Sequence, residues 1–346
     1  MSLIWPQYAD LLNQLSLLWA LILLPVGLTV LIKGAEWLVD GAVAIAKHFG
    51  MSPLIIGLTI VAMGTSAPEV AASVKAALQD SPGIAVGNVY GSNIANLALV
   101  AGLCALIRPI RVSRIALFRD IPLMLGAALL LYGVFYTNLS LNRMESVFLL
   151  LLFSGVIVFM IHSERKQAQK DAGVLEEKAS AVEHAAPHQP NSIWISLSVI
   201  LVGLVCLAEG ADLTVSTAKI IGRHAGLSEL VIGATIVAIG TSLPELMTCL
   251  IASFKRHDDL SVGNLVGSNI FNTLLVIGAS GLVKPYSIES QPELIGGFYW
   301  LMVIVLVLFC AIAFVFKKIS RPAGAALLLC YGGYIAYSLG LFHQAQ

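Results

Sequence analysis

Long apolar stretches alternate with short polar connections along the chain, and this pattern predicts ten helices. Each apolar stretch holds about 20 residues, which is the length that crosses about 30 Å of hydrocarbon. The first and sixth are longer, so we expect them to tilt strongly or to kink in a bilayer. The predicted helices are 12–46, 53–78, 83–106, 116–137, 144–162, 193–222, 228–254, 260–283, 294–316 and 322–342. We therefore expect an all-α membrane protein with ten transmembrane helices.

A polar segment divides the predicted helices into two sets of five. Residues 164–192 interrupt the apolar pattern with charged residues, histidines and prolines. We expect a cytoplasmic polar linker at 164–192, between one five-helix repeat at 1–163 and a second at 193–346.

The two halves contain the same pair of phrases. Residues 57–69 read GLTIVAMGTSAPE and residues 233–245 read GATIVAIGTSLPE. A second phrase follows each copy, GNVYGSNIAN at 87–96 and GNLVGSNIFN at 263–272. The copies align without a gap at a constant offset of 176 residues. This duplication predicts that each half folds as a version of one structural unit.

Composition agrees with a membrane protein and leaves little room for other classes. The chain has 346 residues, of which 58% are hydrophobic and 12% are charged, about half the charged fraction of a typical soluble domain. Its five cysteines are scattered through apolar segments without a CxxC pair. We interpret them as packing residues, because no disulfide or zinc pattern is present in the sequence.

The distribution of basic residues predicts the orientation. With the N-terminus outside, the outer loops hold only Arg143, Arg223 and Lys284. The inner loops then hold Lys47, Arg108, Arg111, Arg114, Arg119, Arg165, Lys166, Lys170, Lys178, Lys255, Arg256, Lys317, Lys318 and Arg321. Basic residues accumulate on the cytoplasmic side, so both termini are expected outside. Because five crossings is an odd number, the second repeat is expected to be inverted, an arrangement typical of alternating-access transporters.

Each copy of the first phrase contains one acidic residue, Glu69 or Glu245, near the centre of a predicted helix. A carboxylate in hydrocarbon is costly and is a functional hypothesis by default. A single one could serve only to hold two helices together by a hydrogen bond. Two in equivalent positions of antiparallel helices favour one composite cation site.

The residues beside the glutamates add oxygen ligands. Pro68 and Pro244 each remove a helical hydrogen bond and displace the carbonyl four residues earlier. The carbonyl and hydroxyl oxygens expected near each break belong to Gly64, Ala62, Thr65, Gly240, Ala238 and Thr241. The second phrase offers further polar pairs four residues apart, Ser92 with Asn96 and Ser268 with Asn272, either as ligands or as interhelical hydrogen-bonding groups. Oxygen-only ligands suit Ca²⁺, Mg²⁺ or Na⁺ and argue against zinc or copper.

The phrases GTSAPE, GNVYGSN, GTSLPE and GNLVGSN resemble the paired signature repeats of the cation/calcium exchanger (CaCA) superfamily, and most of all those of its prokaryotic sodium/calcium exchangers. The resemblance covers essentially the whole chain. It implies four clustered ion positions, a sliding gating pair formed by the first and sixth helices, and residence in a prokaryotic inner (plasma) membrane. Ligands implied by the resemblance are Glu69, Glu245, Thr65, Ser66, Ser92, Asn96, Thr241, Ser242, Ser268, Asn272 and the carbonyls of Ala62 and Ala238.

The same resemblance implies a secondary active antiporter that exchanges Na⁺ for Ca²⁺, with no cofactor, no nucleic acid and no obligate protein partner. Several superfamily members, including potassium-dependent ones, have Asp where this chain has Asn272, so potassium independence is expected. Two carboxylates neutralise one Ca²⁺ or two Na⁺, and a third Na⁺ would make the exchange electrogenic.

Other functions stay open at this point. A proton/calcium antiporter typically carries an acid in the GN-containing phrase, which is absent here, and an exchanger of Mg²⁺ or another divalent cation would use a similar ligand set. A passive channel is disfavoured by inverted repeats with opposed acids. An intramembrane enzyme is disfavoured because the sequence has no HExxH or GxGD pattern.

Overall fold

A computed structural model describes residues 16–136, 139–179, 192–227, 232, 236 and 238–344. Within those residues, eight helices are long and apolar enough to cross a bilayer, and one bent pair of helices would make a ninth span. The chain is therefore a multi-pass, helical membrane protein.

The helices follow the predicted apolar stretches closely. They are α1 (Leu17–Phe49), α2 (Pro53–Thr65), α3 (Ala67–Leu78), α4 (Pro82–Ile107), α5 (Ala116–Tyr136), α6 (Arg143–Ala179), α7 (Ile193–His224), α8 (Ala238–Thr241), α9 (Leu243–Phe254), α10 (Asp258–Val283), α11 (Gly297–Phe316) and α12 (Arg321–Gln344). A short 3₁₀ turn at Pro292–Leu294 precedes α11.

Three helices differ from the sequence prediction, and the first of them, predicted at 53–78, is divided into α2 and α3. Helix α6 was expected at 144–162 but continues to Ala179, because the stretch after Glu164 is rich in the strong helix formers Ala, Glu, Lys and Gln. The helix predicted at 228–254 is represented by α8 and α9, and residues 228–231, 233–235 and 237 lie outside the described part of the chain.

Helices α1 and α7 form a tightly packed antiparallel pair. A Cβ atom at Gly34 would lie 2.7 Å from the backbone nitrogen of Leu207, and one at Gly210 would lie 2.6 Å from that of Leu31. Only glycine permits so close an approach of two backbones at these positions. Gly34 and Gly210 are also equivalent in the duplicated sequence, so the two halves contribute the same feature to this pair.

Four two-residue strands, which the sequence pattern did not reveal, join the halves at two places. Strand β1 (Ile110–Arg111) pairs antiparallel with β4 (Lys318–Ile319), and β2 (Ser140–Leu141) pairs antiparallel with β3 (Tyr286–Ser287). Helix α5 runs from the β1–β4 ladder to the β2–β3 ladder, whereas α11 runs from β2–β3 to β1–β4. The two equivalent helices therefore run in opposite directions.

The centre of the protein is formed by α4 and α10. In the most apolar 18-residue stretch of each, 78% of the residues are buried, against 17% in α6. These central helices carry the second repeated phrase, and the broken helices α2–α3 and α8–α9, which carry the first phrase, pack against them.

Candidate cation-binding site

Both copies of the first phrase break their helix at the same serine. Helices α2 and α3 meet at an angle of 44°, with Ser66 between them at φ −89° and ψ 4°. Ser242 separates α8 from α9 with nearly the same backbone conformation, φ −94° and ψ 8°. Glu69 and Glu245 consequently lie in the first turns of α3 and α9, where the partial positive charge of a helix N-terminus favours a carboxylate.

Both copies of the second phrase contain a π-helical turn. Asn96 lies in the turn Ala95–Val100 of α4, and Asn272 lies in the turn Phe271–Val276 of α10. Such π turns inside α-helices are frequent at functional sites. Each turn packs against the glutamate-bearing helix of the other half, α9 for the first and α3 for the second.

The carboxylates are held by serines of both phrases. Ser92 Oγ donates a hydrogen bond to Glu69 Oε1 at 3.5 Å, and Ser66 Oγ donates one to Glu245 Oε1 at 3.2 Å. The second contact joins the first half to the second. Glu69 and Glu245 also lie within electrostatic range of each other and are buried, with exposures of 2% and 0%. The structure thus brings the two predicted acids into one cluster.

Several buried oxygens in this cluster accept no hydrogen bond from the described residues. They are Glu69 Oε2, Glu245 Oε2, Asn96 Oδ1, Asn272 Oδ1, Ser242 Oγ and Ser268 Oγ. Each unsatisfied buried polar group costs about 1–3 kcal/mol, so these six, four of which form two symmetry-related pairs (Glu69 with Glu245 and Asn96 with Asn272), need a compensating partner. Carboxylate, amide and hydroxyl oxygens are the ligands of hard cations, and the residues present therefore fit Ca²⁺ or Na⁺ as a bound substrate.

The remaining predicted ligands lie at the helix breaks. Thr65 is buried, and its hydroxyl lies 3.4 Å from the carbonyl oxygen of Ala62. That carbonyl also accepts the Ser66 N–H at 3.0 Å, so its second lone pair is free for a further ligand when the single Thr65 hydroxyl proton is donated to Asn264 instead. In the second half the Ser242 N–H bonds instead to Ile239 O at 3.1 Å. Thr241 is half-buried at the end of α8, and Ala238 begins that helix.

Two asparagines that the sequence reasoning did not single out complete the site. Asn264 accepts the Thr65 hydroxyl at Oδ1 (3.2 Å), and its Nδ2 donates to Cys249 Sγ (3.4 Å). The equivalent Asn88 donates from Nδ2 to the Glu69 carbonyl oxygen (3.3 Å) and to Ser73 Oγ (2.9 Å). Both are the N of the GN pair in the repeated phrase. Their recurrence in both halves is the sequence feature that could have identified them as part of the site.

A helical membrane protein with two similar halves, broken helices and a buried cluster of oxygen ligands belongs to the class of cation transporters. A sequence profile of the family described as "Sodium/calcium exchanger protein" matches residues 19–162 and 195–340. The chain therefore belongs to the sodium/calcium exchanger family, whose members are transporters of Ca²⁺ and Na⁺ and not enzymes.

Individual relatives agree with this assignment. The chain is 39% identical to the "Putative antiporter CaxA" of Alkalimonas amylolytica, over 91% of this chain and 97% of that protein. It is 31% identical to the "Sodium/calcium exchanger MaX1" of Methanosarcina acetivorans, over 93% and 98% of the two chains. The solved structure of the sodium–calcium exchanger NCX_Mj, soaked with Na⁺ and Sr²⁺, superposes with a TM-score of 0.76 at 30% identity, over 93% of this chain and 99% of that one. These matches make the chain a cation/Ca²⁺ antiporter.

Proposed function

We propose that this protein exchanges Na⁺ for Ca²⁺ across the membrane by alternating access, with both ions competing for one site. The observation that carries the proposal is the cluster of unsatisfied oxygens around Glu69 and Glu245. This cluster contains two acids and otherwise neutral oxygens, which suits ions that must be released in every cycle, because affinity rises with the number of charged ligands.

The proposed architecture is ten transmembrane helices in two inverted five-helix repeats, 1–163 and 193–346. The duplicated sequence supports the repeats, and the opposite directions of α5 and α11 between the two ladders support their inversion. Both termini lie outside and the linker at 164–192 lies in the cytoplasm of a prokaryotic cell. This orientation is supported by the β1–β4 ladder, which joins two connections rich in basic residues.

In the proposed site, Glu69 and Glu245 are the shared central ligands of Ca²⁺ and Na⁺. The first half adds Thr65, Ser66, Ser92, Asn96 and the carbonyl of Ala62; the second half adds Thr241, Ser242, Ser268, Asn272 and the carbonyl of Ala238. The close packing of α1 against α7 supports their movement as one gating pair. Two helices whose backbones are in such contact move together against the other helices more readily than they separate from each other.

The charge of the site predicts an electrogenic exchange. Glu69 and Glu245 neutralise one Ca²⁺ or two Na⁺, and a third Na⁺ leaves one excess positive charge in the sodium-loaded site. Each net charge that crosses couples to the membrane potential by about 2.3 kcal/mol per 100 mV. Asn272 supplies no third carboxylate, in agreement with potassium independence.

The alternative is a proton-coupled antiporter for Ca²⁺, or one for Mg²⁺, in which Glu69 and Glu245 release their cation on protonation. Asn88 and Asn264 argue against proton coupling, because they place amides that cannot titrate next to the site. Calcium uptake driven by a pH gradient in the absence of Na⁺ would favour this alternative.

The test measures ⁴⁵Ca²⁺ flux in proteoliposomes with Na⁺, K⁺ and H⁺ gradients imposed separately. We expect flux with the Na⁺ gradient alone, and its loss in Glu69→Gln and in Glu245→Gln. Glu293→Gln is the matched control, because it makes the same substitution at an exposed residue outside the site. Undiminished exchange in either site variant would exclude the proposed mechanism.

A further inference from the structure

The β1–β4 ladder carries an unusual pair of charges. Arg111 and Lys318 are directly opposite each other in the register, and the neighbouring pair is Ile110 with Ile319. The two isoleucines are buried, so the side chains of Arg111 and Lys318 emerge on the opposite, exposed face. Like charges in directly opposite positions of an antiparallel pair are destabilising. This ladder therefore tolerates a repulsion that its fold does not require.

The second ladder of the same protein shows that the fold can form such a ladder with an uncharged residue pair. By the 176-residue offset, Arg111 corresponds to Ser287, and in the β2–β3 ladder Ser287 is opposite Ser140. One duplicated structure thus has a Ser–Ser pair at one end of the molecule and an Arg–Lys pair at the other.

The described residues provide no ion pair that compensates for the repulsion, although Asp258 and Asp259 line a pocket together with Arg111. Among the described residues, the side chains of Arg111, Arg114, Lys317 and Lys318 form no ion pair. Asp258 accepts a hydrogen bond from the backbone N–H of Arg111 at 3.4 Å. That carboxylate, however, is already paired with Arg108 at 3.2 Å. One cationic side chain from each half thus lies on the exposed face of the ladder, and Arg114 and Lys317 are close to them in sequence.

The position of the ladder indicates the kind of anion that it meets. It lies between the ends of four spans, since β1 connects α4 to α5 and β4 connects α11 to α12. Beside it, Phe118 of α5 packs edge-to-face on Phe314 of α11 with ring centroids 5.7 Å apart. Phe118 is 70% exposed and faces the surroundings of a transmembrane helix, where lipid chains lie.

We propose that the exposed face of the β1–β4 ladder binds the phosphate headgroup of an anionic phospholipid, whose acyl chains lie on Phe118 and Phe314. The headgroup bridges Arg111 of the first half and Lys318 of the second, and so offsets their repulsion. Clusters of Lys and Arg at the membrane surface attract anionic lipid, and the adjacent aromatic surface favours a lipid over a free phosphate. This site is separate from the ion site and does not depend on the transported ions.

The experiment measures lipid binding to the detergent-purified full chain by native mass spectrometry. Phosphatidylglycerol is titrated against the wild type, against Arg111→Ser/Lys318→Ser, which copies the neutral ladder, and against Lys47→Ser/Lys166→Ser, which removes two exposed basic residues elsewhere. Each basic residue near an anionic headgroup contributes about fivefold to binding, so the ladder variant should bind about 30-fold more weakly. The control variant should change binding by less than about threefold, because both of its residues lie off the ladder.

Two further arms make each outcome decisive. Phosphatidylcholine with the same acyl chains should bind equally to the wild type and the ladder variant, and glycerol phosphate should not compete with phosphatidylglycerol. Equal weakening in both double variants would overturn the proposal in favour of overall charge, and competition by glycerol phosphate would overturn it in favour of a free anion. If the double ladder variant is unstable, Lys318→Ser alone should give a fivefold loss, and an unchanged affinity would equally overturn the proposal.

Discussion

The hydrogen bond from Thr65 to Asn264 gives the sharpest test of how the two halves build one site. Substituting Asn264→Leu removes the acceptor that lies 3.2 Å from Thr65 Oγ1. The buried hydroxyl then turns to the carbonyl oxygen of Ala62, which is already within 3.4 Å. A proton donor thereby occupies an oxygen that the proposed mechanism assigns to the cation.

The magnitude follows from this exchange of partners. Leaving the Thr65 hydroxyl unsatisfied would cost about 1–3 kcal/mol, and the new bond to Ala62 offsets about 1 kcal/mol of it. The remainder, up to about 2 kcal/mol, weakens ion binding and corresponds to a half-saturating Ca²⁺ concentration that is up to about 30-fold higher.

The assay is a double-mutant cycle on ⁴⁵Ca²⁺ exchange in proteoliposomes, with Asn264→Leu, Thr65→Val and the double variant. If Asn264 acts through Thr65, the double variant should be no worse than Thr65→Val alone, with a coupling energy of about 1 kcal/mol or more. Losses that add within about 0.5 kcal/mol would refute the reasoning, because each residue would then act independently.

Three further predictions concern stability and the calcium site. A Cβ at Gly263 would overlap the carbonyl oxygen of Leu54, whereas one at the equivalent Gly87 would lie 4.0 Å from Leu294. Gly263→Ala should therefore lower the free energy of unfolding by about 1–3 kcal/mol, and Gly87→Ala should leave it unchanged. Equal melting temperatures of the two variants in detergent would contradict this prediction. Burial, and secondarily Lys47, lowers the pKa of His257, so its contribution to stability is present above about pH 6.5 and declines as the pH falls from there toward the folded pKa. His257→Gln should reduce the slope of melting temperature against pH between about pH 5 and 7, and an unchanged slope would contradict this prediction. Ser66→Ala removes the donor to Glu245 and should weaken Ca²⁺ binding by about 0.5–1.5 kcal/mol, which equilibrium ⁴⁵Ca²⁺ binding measures; unaltered affinity would exclude a role for this contact.

The principal acids and the helix breaks could be predicted because single residues determine them. Pro68 and Pro244 cannot continue the preceding helix, and the structure has its breaks two residues before them, at Ser66 and Ser242. The glutamates could be identified from the sequence because a carboxylate inside a membrane is energetically costly and usually has a functional role.

Other features depend on contacts that a linear pattern does not contain. A two-residue strand such as Ile110–Arg111 is too short to show alternation, and its partner is about 200 residues away. The role of Asn264 depends on Thr65 of the other half, a contact that needs the packing of α2 against α10. The extension of α6 to Ala179 does not show in the hydropathy pattern, because its residues are polar like those of a linker although they favour helix.

The central claim is that Glu69 and Glu245 belong to one site shared by the two halves. Equilibrium binding of ⁴⁵Ca²⁺ to the purified protein, with Na⁺ as competitor, tests it most directly by stoichiometry. We expect one Ca²⁺ per chain, displaced by Na⁺, with binding lost in Glu69→Gln and equally in Glu245→Gln. Two Ca²⁺ per chain in the wild type, with one retained in each variant, would contradict it, because each half would then hold a site of its own.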